Sequence, residues 1–248
     1  MTTAGKNRLI VALDVETASK ALRLVSTLRG MVGMFKIGSQ LFTAVGPALV
    51  RDIINSGERV FLDLKFHDIP NTVAAAGVEA TRLGVSIFNV HAAGGSEMMR
   101  RTVNTAAECA ASEGLHRPLI IAVTVLTSAD AATLAEVGPG LDPALLVPRL
   151  ALLAEASGMD GVVASAREVR VVRSAVTKPD FVVVTPGVRP TASAHFDQKR
   201  VTTPREAVQA GADYIVVGRP ILEAPDPAQA TQDIIDELEV NTANSVTI

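Results

Sequence analysis

The feature that most constrains this chain is a rhythm. Short apolar runs recur along it, each followed by a longer segment with apolar residues at helical spacing. The runs are Leu9 to Leu13, Phe35 to Gly38, Val60 to Leu64, Ser86 to Val90, Leu119 to Val125, Gly161 to Ala164, Phe181 to Val184 and Tyr214 to Val217. The helical segments are Glu16 to Leu28, Gln40 to Ile54 with a break at Gly46-Pro47, Pro70 to Leu83, Ser96 to Ala111, Ala144 to Ala156, Ala166 to Ala175, Pro204 to Ala210 and Pro227 to Leu238. Runs that stay apolar throughout predict strands buried on both faces, as in a parallel sheet covered by helices. Eight such units in 248 residues fit an α/β chain folded as one (β/α)₈ TIM barrel. The barrel is expected over residues 1–240, with 241–248 as a tail. An open doubly wound sheet is the competing fold, but no Gly-x-Gly-x-x-Gly follows the first run.

Active sites of such barrels lie at the carboxyl ends of the strands. Polar residues interrupt the apolar pattern at those ends: Asp14, Lys36, Asp63 with Lys65, Asn89 with His91, and Thr124 with Thr127. The densest cluster is Phe61-Leu62-Asp63-Leu64-Lys65-Phe66-His67-Asp68-Ile69-Pro70-Asn71-Thr72. Alternation along a strand puts Phe61, Asp63 and Lys65 on one face and Leu62, Leu64 and Phe66 on the other. Asp68 follows in a turn, and Pro70 suits the first turn of a helix. An ion pair finishing a strand and a catalytic cluster are both open readings of these residues alone. If the barrel is right, charges at several strand ends converge on one pocket, which favours the catalytic reading.

The last two units carry a different signal. Thr185-Pro186-Gly187-Val188-Arg189-Pro190 follows the seventh run, and Gly218-Arg219-Pro220 follows the eighth. Loops seven and eight are the usual phosphate site of these barrels; glycine admits the anion to the backbone, and arginine can donate two parallel hydrogen bonds. A phosphorylated substrate is therefore expected. The long polar connection from Arg189 to Thr203, with Gln198, Lys199 and Arg200, reads as a surface loop or as a lid over that phosphate.

Composition narrows the partners. Aromatic residues are 3% of the chain, with no Trp, and the formal charge is −3 without a basic run. Neither a nucleic-acid surface nor a membrane surface is indicated. Single Cys109, with no second cysteine to pair, fits a reducing cytoplasm. The polar residues from Met1 to Arg8 lead directly into the first run and do not resemble a signal peptide. Asp14, Asp63 and Asp68 are oxygen donors suited to Mg²⁺, but Lys36 and Lys65 already compensate them. His67, His91, His116 and His195 lack zinc-ligand spacing. Lys65 is a candidate for a Schiff base, yet flanking carboxylates favour its charged form, a poor nucleophile and a good acid.

Asp63-x-Lys65-x-x-Asp68-Ile69-Pro70-Asn71-Thr72 resembles the signature of the orotidine 5′-phosphate decarboxylase family. Ala12-Leu13-Asp14, Phe35-Lys36-Ile37-Gly38, Val123 to Ser128, Thr185 to Pro190, Asp197-Gln198 and Val217 to Pro220 follow in the family's order, most like its compact bacterial type. The resemblance implies cofactor-independent decarboxylation of orotidine 5′-phosphate to UMP, with no metal. It implies a charged tetrad of Lys36, Asp63, Lys65 and Asp68, with Lys65 protonating the C6 carbanion. It also implies a homodimer in which Asp68 reaches the partner subunit's site. Substrate contacts implied are Asp14, Lys36, Asp63, Ile69, Asn71, Thr72, Thr127, Arg189, Gln198, Gly218 and Arg219. The alternative is a Mg²⁺-dependent sugar-phosphate decarboxylase or aldolase of related barrels, which shares Asp-x-Lys-x-x-Asp but has a carboxylate where this chain has Lys36.

Overall fold

The strands close into a barrel. In the computed structural model, which describes residues 3–138, 140–190 and 202–239, β1 (Leu9–Ala12), β2 (Met34–Gly38), β3 (Val60–Phe66), β4 (Ile87–His91), β5 (Leu119–Val123), β6 (Gly161–Val163), β7 (Val182–Pro186) and β8 (Tyr214–Val217) pair in sequence order. Every neighbouring pair is parallel, and β1 also pairs with β8, Ile10 opposite Val216. This is the (β/α)₈ architecture that the eightfold rhythm predicts.

Two apolar layers explain why the strands lack alternation. Ile10, Ala12, Met34, Phe61, Ile87, Ile121, Val184 and Val216 form an inner cluster that fills the barrel. Their sequence neighbours, including Leu9, Val11, Phe35, Leu62, Phe88, Ile120 and Val183, pack outward against the helices in a second, larger cluster. Both faces of each strand are therefore dry. The inner row continues at every second residue toward the carboxyl ends, from Ala12 to Asp14, Met34 to Lys36, Phe61 to Asp63 and Ile87 to Asn89. Barrel parity thus delivers these polar side chains above an apolar floor.

The opposite end of the barrel is stapled. Asp160 accepts from the N–H of Ile120 at 2.7 Å and pairs with Arg117 at 2.9 Å. Asp213 repeats the device two strands on, accepting from the N–H of Val183 at 2.7 Å and pairing with Arg173. Each carboxylate satisfies a strand-start amide that would otherwise be an orphan.

Several boundaries differ from the sequence reading. β3 runs to Phe66, two residues beyond Leu64, because after a bulge it rejoins β4, Phe66 opposite Val90. The segment before β1 contains a helix, Thr3–Arg8. The stretch before the helix Pro143–Ala156 holds another, Ala131–Val137, started by Asp130, whose Oδ1 accepts from the N–H of Thr133 at 2.8 Å. A short helix, Arg219–Leu222, follows β8 directly. The break at Gly46-Pro47 is real: Gly46 has φ +69°, and Pro47 opens the next helix. Among the described residues, no helix is long and apolar enough to cross a membrane. The 241–248 tail and most of the Arg189 to Thr203 connection lie outside the described residues.

Gly161 tests how tightly the barrel closes. A Cβ there would lie 2.1 Å from the backbone oxygen of Val182 on the neighbouring strand. Backbone cannot swing aside as a side chain can, so Gly161→Ala must spread β6 from β7. We expect a stability loss of about 3 kcal/mol, the upper part of the range for overpacking, read as a lower urea midpoint in circular dichroism.

Candidate active site

The strand-end charges form one connected array. Lys36 Nζ lies 3.2 Å from Asp14 Oδ1 and 3.3 Å from Asp63 Oδ2. Lys65 Nζ lies 2.7 Å from Asp63 Oδ1. Signs alternate along Asp14, Lys36, Asp63 and Lys65, and the inner pair is nearly dry, with side chains 11% and 12% exposed for Lys36 and Asp63. Asp14 is set at the rim, where the β8 loop passes close by: a Cβ at Gly218 would stand 3.4 Å from its Oδ2, an ordinary van der Waals contact.

Burial is the largest single influence on Asp63 and opposes its ionisation. The ammoniums of Lys36 and Lys65, with hydrogen bonds from Lys65 and Asn89, outweigh it and hold the carboxyl below the ordinary carboxylate range. Asp63 is thus an ionised group in a buried place.

The backbone beneath this array is distorted. Leu62 pairs with Phe88 and Phe66 with Val90, so β3 spends four residues where β4 spends two. Within that bulge Lys65 adopts φ +54°, the one left-handed non-glycine among the described residues. Such a conformation costs of order 1–3 kcal/mol and persists only where its surroundings enforce it. Asn89, 1% exposed, sits opposite: its Oδ1 accepts from the N–H of Lys65 at 2.8 Å and its Nδ2 donates to Asp63 Oδ1 at 2.7 Å. The sequence reading noted Asn89 only as a polar strand end. A buried amide on the inward row beside an Asp-x-Lys was the available signal.

A cavity of about 160 Å³ opens above the array, bounded by Lys36, Asp63 and Lys65 on one side and by Leu126, Thr127 and Pro186 on the other. Phe61, Val123, Val163, Val184 and Val216 form its apolar floor. Thr124, the other threonine of this loop, is spent on structure, donating to the Val163 carbonyl at 2.9 Å. Loops after β7 and β8 bring Arg189, Gly218 and Arg219 to the same end of the barrel; Arg189 is half-buried, and its N–H donates to the carbonyl of Thr202 at 3.2 Å. Among the described residues neither arginine forms an ion pair. Gln198 lies outside the described residues.

Not every expected site residue meets the array. Asp68, Ile69, Asn71 and Thr72 are exposed, beyond β3 and in the first turn of the helix Pro70–Arg82. Asp68 Oδ1 accepts from the N–H of Ile69 at 2.6 Å, and among the described residues Asp68 has no cationic partner. Ile69 is 65% exposed, a large apolar side chain facing outward. Next to this loop the rings of His67 and His91 stand 5.4 Å apart. Burial pushes His91 below its ordinary pKa, helped by the charges of His67 and Lys65.

Fold and site together define a class of (β/α)₈ barrel proteins that carry a partly buried array of carboxylates and ammoniums at the carboxyl ends of the strands. Residues 7–234 match the model of the orotidine 5′-phosphate decarboxylase / HUMPS family, and the chain belongs to that family. Orotidine 5′-phosphate decarboxylase of Geobacter sulfurreducens is 54% identical over 234 residues, 94% of this chain and 97% of that relative. The namesake from Syntrophotalea carbinolica is 52% identical over 238 residues, 96% and 97% of the two chains. Among solved structures, orotidine 5′-phosphate decarboxylase from Lactobacillus acidophilus superposes with TM-score 0.81 at 36% identity, covering 93% of this chain and 98% of that one.

His91 sets a pH dependence of stability. Unfolded, it takes up its proton near the ordinary value of 6.5, whereas folded it resists protonation to lower pH. Between these points the unfolded state binds more protons, so stability falls as pH drops through that window. Melting temperatures of wild type and His91→Gln, followed from neutral to mildly acidic pH, should converge, with the variant losing less.

Proposed function

We propose that this chain catalyses the metal- and cofactor-independent decarboxylation of orotidine 5′-phosphate to UMP, in pyrimidine biosynthesis. The observation that carries the reading is the array Asp14–Lys36–Asp63–Lys65, because it supplies a fixed ammonium where a carbanion would form. Breaking the bond between ring C6 and the carboxylate releases CO₂ and leaves the electron pair on C6. Lys65 Nζ stabilises that charge in a cavity with an apolar floor, where electrostatic effects are strong, and then gives C6 a proton. Solvent restores the proton to Lys65. Asp63, held ionised between two lysines, keeps Lys65 aimed. Asp14 and Lys36 are assigned to the ribose hydroxyls, Thr127 to the pyrimidine edge, and Gln198, Arg189, Gly218 and Arg219 to the phosphate.

Two of the three carboxylates that would ligate Mg²⁺ in the sugar-phosphate alternative, Asp14 and Asp63, are here within 3.3 Å of an ammonium. Conversion of orotidine 5′-phosphate to UMP, followed by absorbance in EDTA, tests the assignment directly. No turnover, or turnover only with Mg²⁺ and a sugar phosphate, would overturn it.

We further infer that the working unit is a homodimer of one-domain subunits, held in the cytoplasm, in which Asp68 completes the partner's site with Ile69, Asn71 and Thr72. Support comes from exposed Asp68, which has no cationic partner among the described residues, and from exposed Ile69 beside it, a side chain that a second copy would bury. Buried, unpaired Cys109 agrees with a reducing compartment.

Lys65→Ala should lower turnover by about a thousandfold or more while changing UMP affinity far less, because the ammonium acts on charge present only in the transition state. Steady-state kinetics and calorimetric titration separate the two effects.

Mixing inactive Lys65→Ala and Asp68→Ala homodimers tests the shared site. In a mixed dimer one site collects both defects and the other is intact. Random re-pairing should then restore activity to about a quarter of wild type. If Asp68 serves its own chain, mixing restores nothing.

A further inference from the structure

We propose that Asn89 is a positioning residue for the reaction: its side-chain amide holds Lys65 in the left-handed conformation that aims the ammonium at Asp63. The inference rests on the decarboxylase reading for its catalytic meaning, but its geometry stands alone.

The bulge in β3 removes the residues between Leu62 and Phe66 from regular pairing with β4. The N–H of Lys65 therefore loses its ladder partner inside a protein wall, and an unpartnered buried donor is costly. Asn89 lies between Phe88 and Val90, the β4 residues that frame the bulge, and its Oδ1 takes that N–H at 2.8 Å. A side chain thus replaces a backbone carbonyl at the one place where the ladder opens.

The other half of the amide fixes Asp63. Nδ2 of Asn89 and Nζ of Lys65 each donate to the same Oδ1 at 2.7 Å, while Oδ2 faces Lys36 at 3.3 Å. Both carboxylate oxygens are occupied, so the group cannot rotate without losing a partner. The amide's orientation is also settled, since a carboxylate accepts and an N–H donates. Asn89 joins the backbone of Lys65 to the carboxylate that receives its side chain, a closed ring of three residues.

Among the side chains that could fill this place, only asparagine meets both demands. Aspartate would accept from Lys65 but oppose Asp63, alanine would do neither, and glutamine is one methylene too long for a side chain 1% exposed. The charged and titratable groups around the amide are Asp63, Lys65 and Lys36, with His91 two residues along β4.

The experiment compares wild type, Asn89→Ala and Asn89→Asp in three readouts. First, kcat for orotidine 5′-phosphate should fall by about a hundredfold in Asn89→Ala, the cost of misplacing a reacting group by about an ångström, with KM and UMP affinity nearly unchanged. Second, the Asp63 carboxyl, followed by carbon NMR, should titrate at higher pH in Asn89→Ala than in wild type. In Asn89→Asp it should rise further, as two adjacent carboxyls compete for one proton. Third, the Lys65 amide proton should exchange slowly in wild type and faster in both variants.

Turnover near wild type in Asn89→Ala overturns the proposal. So does equal loss of kcat and UMP affinity with a collapsed melting temperature, which marks a scaffold role. If Asn89→Ala does not fold, rapid exchange of the Lys65 amide in wild type overturns it, and slow exchange with the raised Asp63 titration in Asn89→Asp supports it. Because amide exchange and carboxyl titration need no turnover, they report on the clamp even if the wild-type protein fails to decarboxylate orotidine 5′-phosphate.

Discussion

The carboxylate of Asp63 is the interaction on which the rest of this site depends. It sits above an apolar floor where removing an ion from water costs several kcal/mol. An ammonium about 3 Å away returns on the order of 5 kcal/mol at an effective dielectric near 20. One lysine would roughly cancel the desolvation; two lysines and an amide exceed it, which is why the carboxyl stays ionised. The consequence runs outward. With Asp63 ionised and both oxygens occupied, Lys36 and Lys65 are held in place, and Lys36 in turn holds Asp14 at the rim.

Backbone geometry explains how two side chains two residues apart can meet. On a regular strand Asp63 and Lys65 would project side by side, separated by the strand's rise. The bulge and the positive φ of Lys65 fold that segment, so the ammonium closes onto the carboxylate at 2.7 Å. Strain of this kind survives only when packing on either side is unyielding. Below, Phe61 is locked in the barrel interior; outside, Phe66 leans on Phe88 with ring centroids 6.1 Å apart. The same strand is thus rigid where it fills the barrel and distorted where it carries the charged array.

Much of this was legible in the sequence, and the reason is periodicity. A barrel strand needs apolar residues on both faces, so its polar exceptions stand out, and Asp14, Lys36, Asp63 and Lys65 were each such an exception. What stayed hidden depends on departures from periodicity. The bulge in β3, the left-handed Lys65 and the extension to Phe66 have no signature in residue type, because lysine is not a residue that marks positive φ. Asn89 and Thr124 looked alike as polar strand ends. Only the fold shows that one reaches the charged array and the other bonds the neighbouring strand. The helix Ala131–Val137 was missed because a stretch with no buried residue carries no apolar stripe.

For the proposed chemistry, the division between floor and rim matters more than any single contact. A carbanion needs stabilisation only as the bond breaks, so a favourable site keeps its positive charge in position beforehand and lets little solvent reorganise. Side chains from β3, β5, β6, β7 and β8 make the floor, and none of Phe61, Val123, Val163, Val184 or Val216 can hydrogen-bond through its side chain. Lys36, with a side chain 11% exposed, is therefore solvated chiefly by protein carboxylates, whereas Lys65, 35% exposed, is held by Asp63 and also meets solvent. An ammonium pinned to a fixed carboxylate reorients little, and its field stays directed at the cavity. The barrel interior, filled for stability, sets the dielectric in which four charged residues act.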